Sequence, residues 1–243
     1  MFHTWHDEVV ADLDAVLFDF SGTLFRLEGD ESWFHGMEID DPDNRDVDAH
    51  VQAELMRRLT APTGQSVRMT PEALHAWDNR DLAPHLHREA YLHVLRESGL
   101  ARGHAESLYG KAVDPDQWTP YPDTAAVFGA LRDHGIKIGV VSNIAFDIRP
   151  AFAKLGVADD VDAFVLSFEV GVVKPDPAIF TIALDRLGVP AQRALMVGDS
   201  DEADGGARAL GCSFALVDPL PTAERPDGLV AALAEHGLAV SSR

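Results

Sequence analysis

The sequence predicts an α/β fold: a doubly wound, Rossmann-like parallel sheet core interrupted by an α-helical insertion. Three observations carry that prediction. Short apolar runs bounded by Gly, Asp, Ser or Asn recur along the chain, as buried parallel strands do. Helical periodicities separate the later runs, and strand-helix alternation of that kind builds doubly wound sheets. Between the first two runs, residues 26–118 drop the alternation and repeat apolar residues at helical spacing instead.

The apolar runs are Ala15–Phe18, Ile136–Val141, Ala163–Leu166, Ala194–Val197 and Ser213–Val217. Helices are predicted over about 123–134, where Val127 and Leu131 share a face, and over about 176–187, where Ile179, Phe180, Ala183, Leu184 and Leu187 do. A shorter helix over about 202–210 is expected to end at Gly211, a suitable C-terminal cap. In the insertion, Val47, Val51, Leu55 and Leu59 repeat every four residues, as do Leu82, Leu86, Ala90 and Val94. Glu28, Asp30, Glu31, Glu38, Asp40, Asp41, Asp43 and Asp46 make 28–46 an acidic, mobile entry loop. Trp33, Trp77 and Trp118 are read as packing residues of the insertion, with one of them, not singled out by the sequence, as an alternative lining of the substrate pocket.

Composition narrows the function. The 243 residues carry 40 acids against 20 bases, a formal charge of −20. That field repels nucleic-acid phosphates and anionic membranes, so neither is an expected partner. It also repels phosphorylated small molecules, so any anion site must be built locally from a cation, a lysine or helix N-termini. No apolar run approaches the roughly 20 residues of a membrane span. The first residues lack a basic segment followed by an apolar one, and Cys212 is the only cysteine, so a cytoplasmic location is expected.

Ligands of open parallel sheets sit beyond the carboxyl ends of the strands. After the first run comes Asp19-Phe-Ser-Gly-Thr-Leu24, and after the second Ser142-Asn143. Shortly after the third comes Gly171-Val-Val-Lys-Pro-Asp176, and after the fourth Gly198-Asp-Ser-Asp-Glu-Ala-Asp204. Taken singly, each is an ordinary turn or cap. Taken together, they put two carboxylates suited to Mg²⁺, small hydroxyl and amide groups suited to phosphate oxygens, and one lysine at successive strand ends.

Those four motifs, in that order, resemble the haloacid dehalogenase-like hydrolases across nearly the whole chain. The resemblance implies a core of residues 1–25 and 119–243, with 26–118 as the family's helical cap. It implies that Asp19 is a nucleophile forming an aspartyl-phosphate on a small phosphorylated substrate. Mg²⁺ would be held by Asp19, Asp199 and the main-chain carbonyl of Ser21, supported by Asp204. Lys174 would join Asp19 in catalysis and, with Ser142, bind the transferring oxygens. Asn143 would shape the same pocket, beside Ser21, Gly22 and Thr23. A monomer or homodimer is expected.

One position departs from the pattern. Phosphatases of this family carry a second Asp two residues after the nucleophile, as general acid and base; here that residue is Ser21. General acid-base catalysis is worth roughly 10²–10⁴ in rate. A good leaving group lessens the loss, and His35 or Glu38 of the cap are candidate substitutes. Three other readings stay open. A slow or inactive relative would bind a phosphorylated ligand without turning it over. A metal-independent 2-haloacid dehalogenase would not need the 198–204 pattern. A phosphonate hydrolase would need a cap lysine, and Lys111, near the cap's far end, is the only one there beside the core's Lys137, Lys154 and Lys174. His85 and His87 face different sides of a helix, which disfavours a shared ion with His93. Cys212 is expected to be buried and inert.

Overall fold

A computed structural model describes residues 13–37, 49–60 and 68–240. Val47, Glu38 and the 40–46 part of the acidic loop lie outside the described residues. In chain order the strands are β1 (Ala15–Phe18), β2 (Phe25–Leu27), β3 (Trp118–Pro120), β4 (Lys137–Ser142), β5 (Ala163–Leu166), β6 (Ala194–Gly198) and β7 (Ser213–Leu216). The helices are α1 (Ala49–Thr60), α2 (Pro71–Asp78), α3 (Pro84–Glu97), α4 (Arg102–Ala112), α5 (Thr124–Asp133), α6 (Arg149–Leu155), α7 (Ser167–Val170), α8 (Pro177–Leu187) and α9 (Gly228–Glu235).

The five expected runs form one parallel sheet in the order β5-β4-β1-β6-β7. β1 is central, with Leu17 opposite Gly139 of β4 on one side and Met196 of β6 on the other. Its side chains alternate between faces, as the pleat requires. Val16 and Phe18 pack with Phe128 of α5, Phe152 of α6 and Leu229 of α9. Ala15 and Leu17 pack with Ile179, Phe180 and Leu184 of α8. Both faces are covered, which is why these strands read as unbroken apolar runs.

The predicted helix at 202–210 is instead a 3-10 segment, Asp204–Leu210. Gly205 and Gly206 are poor α-helix formers, and a short tight segment tolerates them better. Gly211 does end it, in the left-handed conformation.

In the insertion, α1 buries Leu55 and Leu59, and α3 buries Ala90 and Val94, as the repeats require. Leu82 falls in a separate 3-10 turn, Arg80–Leu82, because Pro84 starts α3 afresh. α2, capped by Thr70, and α4 were not foreseen. Trp33, Leu55, Tyr91, Leu95 and Leu108 form a cluster distinct from the two that flank the sheet. Also unforeseen is the antiparallel ribbon of β2 and β3, in which Phe25 pairs with Pro120 and Leu27 with Trp118. The chain leaves for the helices and returns from them along this ribbon, so the expected boundaries at 25/26 and 118/119 fall within paired backbone.

His87 carries a pH signature. It is buried on α3, with Nδ1 3.0 Å from the Tyr109 hydroxyl. Burial, with Arg80 nearby, pushes its pKa down to about 3. Its contribution to stability is complete above the unfolded value of about 6.5. It is lost as pH falls, because the unfolded chain takes up a proton that the folded ring refuses. Stability should fall by up to ~1.4 kcal/mol per pH unit from this group below about pH 6. Denaturant titrations at pH 4.5–6.5 check this: His87→Gln should show the shallower slope, and equal slopes would contradict the assignment.

Candidate active site

The carboxyl ends of β1, β4 and β6, with the loop after α7, converge at one place. Asp19 directly follows β1, and its amide donates to the Val197 carbonyl at 3.0 Å, which locks it between β1 and β6. A tight turn follows: the amides of Leu24 and Phe25 donate to the Phe20 carbonyl at 3.0 and 2.9 Å, and the Gly22 amide to Phe25 at 2.8 Å. Gly22 has φ +74°, and a Cβ there would lie 2.3 Å from Asp199 Oδ2. Only glycine lets this loop meet that carboxylate without displacing it. Gly198 serves Asp204 the same way, since a Cβ at 198 would lie 2.1 Å from Asp204 Oδ2.

Lys174 is buried at the centre. Its Nζ donates to Asp19 Oδ1 and to Asp204 Oδ1, each at 2.6 Å. Asn143 holds the lysine's backbone from both sides: its Nδ2 donates to the Lys174 carbonyl at 2.9 Å, and its Oδ1 accepts from the Lys174 amide at 2.7 Å. Asp204 also accepts from the Ser200 amide at 3.0 Å, which folds the β6 loop around it.

Asp19, Asp199 and Asp204 each present a carboxylate oxygen within 4.8 Å of the others. Burial, reinforced by the neighbouring carboxylates against the pull of Lys174, lifts Asp19 to about 7. Burial and Asp204 lift Asp199 to about 6. Burial opposes the charge of Lys174, yet Asp19 and Asp204 outweigh it and hold the ammonium above its ordinary value. Fully ionised, three carboxylates against one ammonium would leave two negative charges in excess, the crowding that raises Asp19 and Asp199. A hard oxygen-rich donor set with that excess fits a divalent cation.

Above this cluster opens a cleft of about 1000 Å³. Asp19, Ser21, Gly22, Asn143 and Asp199 line it from the sheet side, and Arg80, Asp81, His87 and Tyr91 from the helical side. Trp118, the third tryptophan of the insertion, also lines it.

Two of the expected substrate-binding residues, Thr23 and Ser142, are not among those that line the cleft. Thr23 is fully buried and, among the described residues, its hydroxyl has no hydrogen-bond partner. Its carbonyl accepts from Arg225, which makes it a brace for the loop rather than part of the cleft wall. Ser142, the last residue of β4, is 1% exposed. His35, a candidate substitute acid, is exposed at the end of the 3-10 turn Glu31–Phe34. Cys212 is buried, as expected.

Arg225 was missed by sequence reasoning. It is 5% exposed, donates to the Gly22 carbonyl at 2.8 Å, and stacks 3.1 Å above the Tyr121 ring. It thereby fixes the turn after the first strand from a segment 203 residues away in sequence. No local motif marks it; a lone arginine in a Pro-rich loop looks like surface.

Comparison with known proteins bears on this geometry. The family described as haloacid dehalogenase-like hydrolase matches residues 13–211. The chain is 34% identical over 140 residues to a ribulose-1,5-bisphosphate 5-phosphatase of Halopiger xanaduensis, covering 54% of this chain and 59% of that one. It spans between 39% and 59% of the length of three such curated relatives. The fold superposes on a haloacid dehalogenase-like phosphatase of Thermococcus onnurineus with TM-score 0.51 and 26% identity, covering 85% of this chain and 86% of that one. An L-2-haloacid dehalogenase of Xanthobacter autotrophicus gives TM-score 0.58 at 24% identity, over 95% and 90%; at that identity the likeness is one of fold. With the family matched from before Asp19 to beyond Asp204, and the motif residues gathered at one end of the parallel sheet, the chain belongs to the haloacid dehalogenase-like hydrolases.

Proposed function

We propose that this protein is a Mg²⁺-dependent phosphatase acting on a small phosphorylated metabolite through an aspartyl-phosphate at Asp19. The observation that carries the reading is the set of buried Asp19 and Asp204 and half-buried Asp199 around Lys174, with a formal excess of two negative charges. A dehalogenase working without metal has no use for that excess. Similarity to a relative named as a ribulose-1,5-bisphosphate 5-phosphatase points the same way.

On this reading Asp19 and Asp199, with the Ser21 carbonyl, would hold Mg²⁺, and Asp204 would steady the site. Bound there, the ion would screen the Asp19 carboxylate from an anionic phosphate. Asp19 attacks phosphorus, and covalent catalysis splits one hard displacement into two easier ones. Lys174, pinned by Asn143, sets the position of the attacking carboxylate and balances its charge. Positioning and charge stabilisation account for most of phosphoryl transfer, so rigidity here is the main contribution.

Residues 26–118 act on this reading as a cap that closes the cleft and chooses the substrate, over a core of 1–25 and 119–243. Among the described residues no helix is long and apolar enough to cross a membrane. The lone cysteine suits the cytoplasm.

The test is phosphate release from a panel of phosphomonoesters with Mg²⁺ and with EDTA. Release that stops in EDTA is the expected result. Haloacid turnover that survives EDTA would replace this reading with a dehalogenase.

A further inference from the structure

Resting on the phosphatase reading, we infer that Asp81, contributed by the helical insertion, is the general acid and base that position 21 does not supply. A phosphomonoester with an alkyl leaving group needs a proton as its P–O bond breaks, and a serine hydroxyl does not give one up near neutral pH. The described wall of the cleft carries four carboxyl groups: Asp19, Glu28, Asp81 and Asp199. Asp19 and Asp199 belong to the cluster that receives phosphorus and metal. Glu28 is taken: it accepts from the Thr222 amide at 2.7 Å and the Thr222 hydroxyl at 2.8 Å, and Arg26 lies 3.6 Å away. His87 stays neutral, held at about 3 by its burial, and the buried Tyr91 phenol is raised well above its ordinary range.

Asp81 is different. Among the described residues no hydrogen bond reaches its carboxyl oxygens; Arg80 Nε stands 3.7 Å off, beyond hydrogen-bond length. Its backbone, by contrast, is fastened. Ser167 Oγ donates to the Asp81 carbonyl at 2.6 Å and also accepts from the Ile144 amide at 2.9 Å. Ile144 adjoins Asn143, which clamps Lys174, which bonds Asp19. A short chain of contacts therefore fixes Asp81 against the nucleophile's own support. An in-line displacement pushes the leaving oxygen away from Asp19 and toward the helical side, where Asp81 lines the cleft.

The charges acting on Asp81 are Arg80 on its own turn and Lys174 from the core. From α3 the phenol of Tyr91 faces it and the neutral His87 lines the same cleft, and on α7 the ionisable group is Glu169, which pairs with Arg149 at 2.8 Å. Burial outweighs the two cations and raises its pKa, which favours a carboxyl that holds its proton.

The steps balance. As an Asp19 oxygen bonds to phosphorus, the phosphorus–leaving oxygen bond breaks and the Asp81 proton moves to that oxygen. The Asp81 carboxylate then takes a proton from water as the water oxygen attacks phosphorus. The bond from Asp19 to phosphorus breaks and inorganic phosphate leaves.

Asp81→Asn, assayed on an alkyl phosphate and on 4-nitrophenyl phosphate, tests the inference. The alkyl ester should lose roughly 10²–10⁴ in kcat. The first equivalent of nitrophenolate should still appear at close to the wild-type rate, followed by slow turnover. Adding Ser21→Asp to Asp81→Asn should restore at least about tenfold, which a structural defect would not permit. Asp81→Ala keeps the backbone anchor to Ser167 and should behave alike if the amide disturbs the turn. An unchanged alkyl rate, an equal fall in burst and alkyl rates, or no rescue would overturn the assignment. Wild type that hydrolyses both esters while Asp81→Asn matches it sinks this inference alone. Wild type that releases no phosphate from any ester sinks the phosphatase reading and this inference with it.

Discussion

Asp19→Asn is expected to lower phosphate release by at least about 10³-fold, or ~4 kcal/mol of transition-state stabilisation, while the protein stays folded. An amide oxygen is a far weaker nucleophile than a carboxylate, and no other described carboxylate sits in the same position between β1 and β6. The fold should survive because the amide still accepts the hydrogen bond that Lys174 Nζ makes to Asp19 Oδ1 at 2.6 Å. Relief of charge crowding works in the same direction. Asp19 is pushed up to about 7 because burial and its neighbours disfavour its charge, so a neutral replacement removes a cost from the metal-free protein. Melting in EDTA should therefore occur at or above the wild-type temperature. Retained phosphate release, or a variant that unfolds, would each contradict this account of the residue.

Lys174→Met should produce the largest stability loss of any single change in the site, about 3–5 kcal/mol. The ammonium is buried and bonded to two buried carboxylates, each at 2.6 Å. Methionine keeps an unbranched apolar stem, one atom shorter, and removes the charge, leaving Asp19 and Asp204 facing each other across a space with no cation. Against a typical domain stability of ~5–15 kcal/mol, such a loss is a large share of the total. Saturating Mg²⁺ should return part of it, because the variant holds a still larger excess of negative charge. Urea denaturation with and without Mg²⁺ reads both effects. A loss under ~1 kcal/mol would mean that the lysine stabilises little more than an exposed ion pair does.

The sheet and the strand-end motifs were legible because their signals are local. Ala15–Phe18 and Ala163–Leu166 are unbroken apolar runs with polar residues at once beyond them, and they are strands with those bounds. Asp19, Asn143, Lys174, Asp199 and Asp204 come together because each lies on a segment that leaves the same end of one parallel sheet, Lys174 by way of α7. What stayed hidden depends on distant partners. The β2–β3 ribbon joins three residues at 25–27 to three at 118–120, neither long enough to declare a strand. α4 buries Ala105, Leu108, Tyr109 and Ala112, a face partly made of small residues that gives a faint period. Arg225 braces the loop after β1 and Asp81 lines the cleft through tertiary contacts alone. Thr23 and His35 show the same limit: sequence gives position along the chain, whereas burial of one and exposure of the other are set by packing.

The central claim is that these strand ends make one metal-dependent, phosphoryl-accepting carboxylate. Fluorine NMR of the protein with beryllofluoride, a mimic of a phosphoryl group on aspartate, tests it most directly. A bound resonance that requires Mg²⁺ and vanishes in EDTA and in Asp19→Asn is the predicted result. Binding that persists without Mg²⁺ or without the carboxylate at position 19 would contradict it.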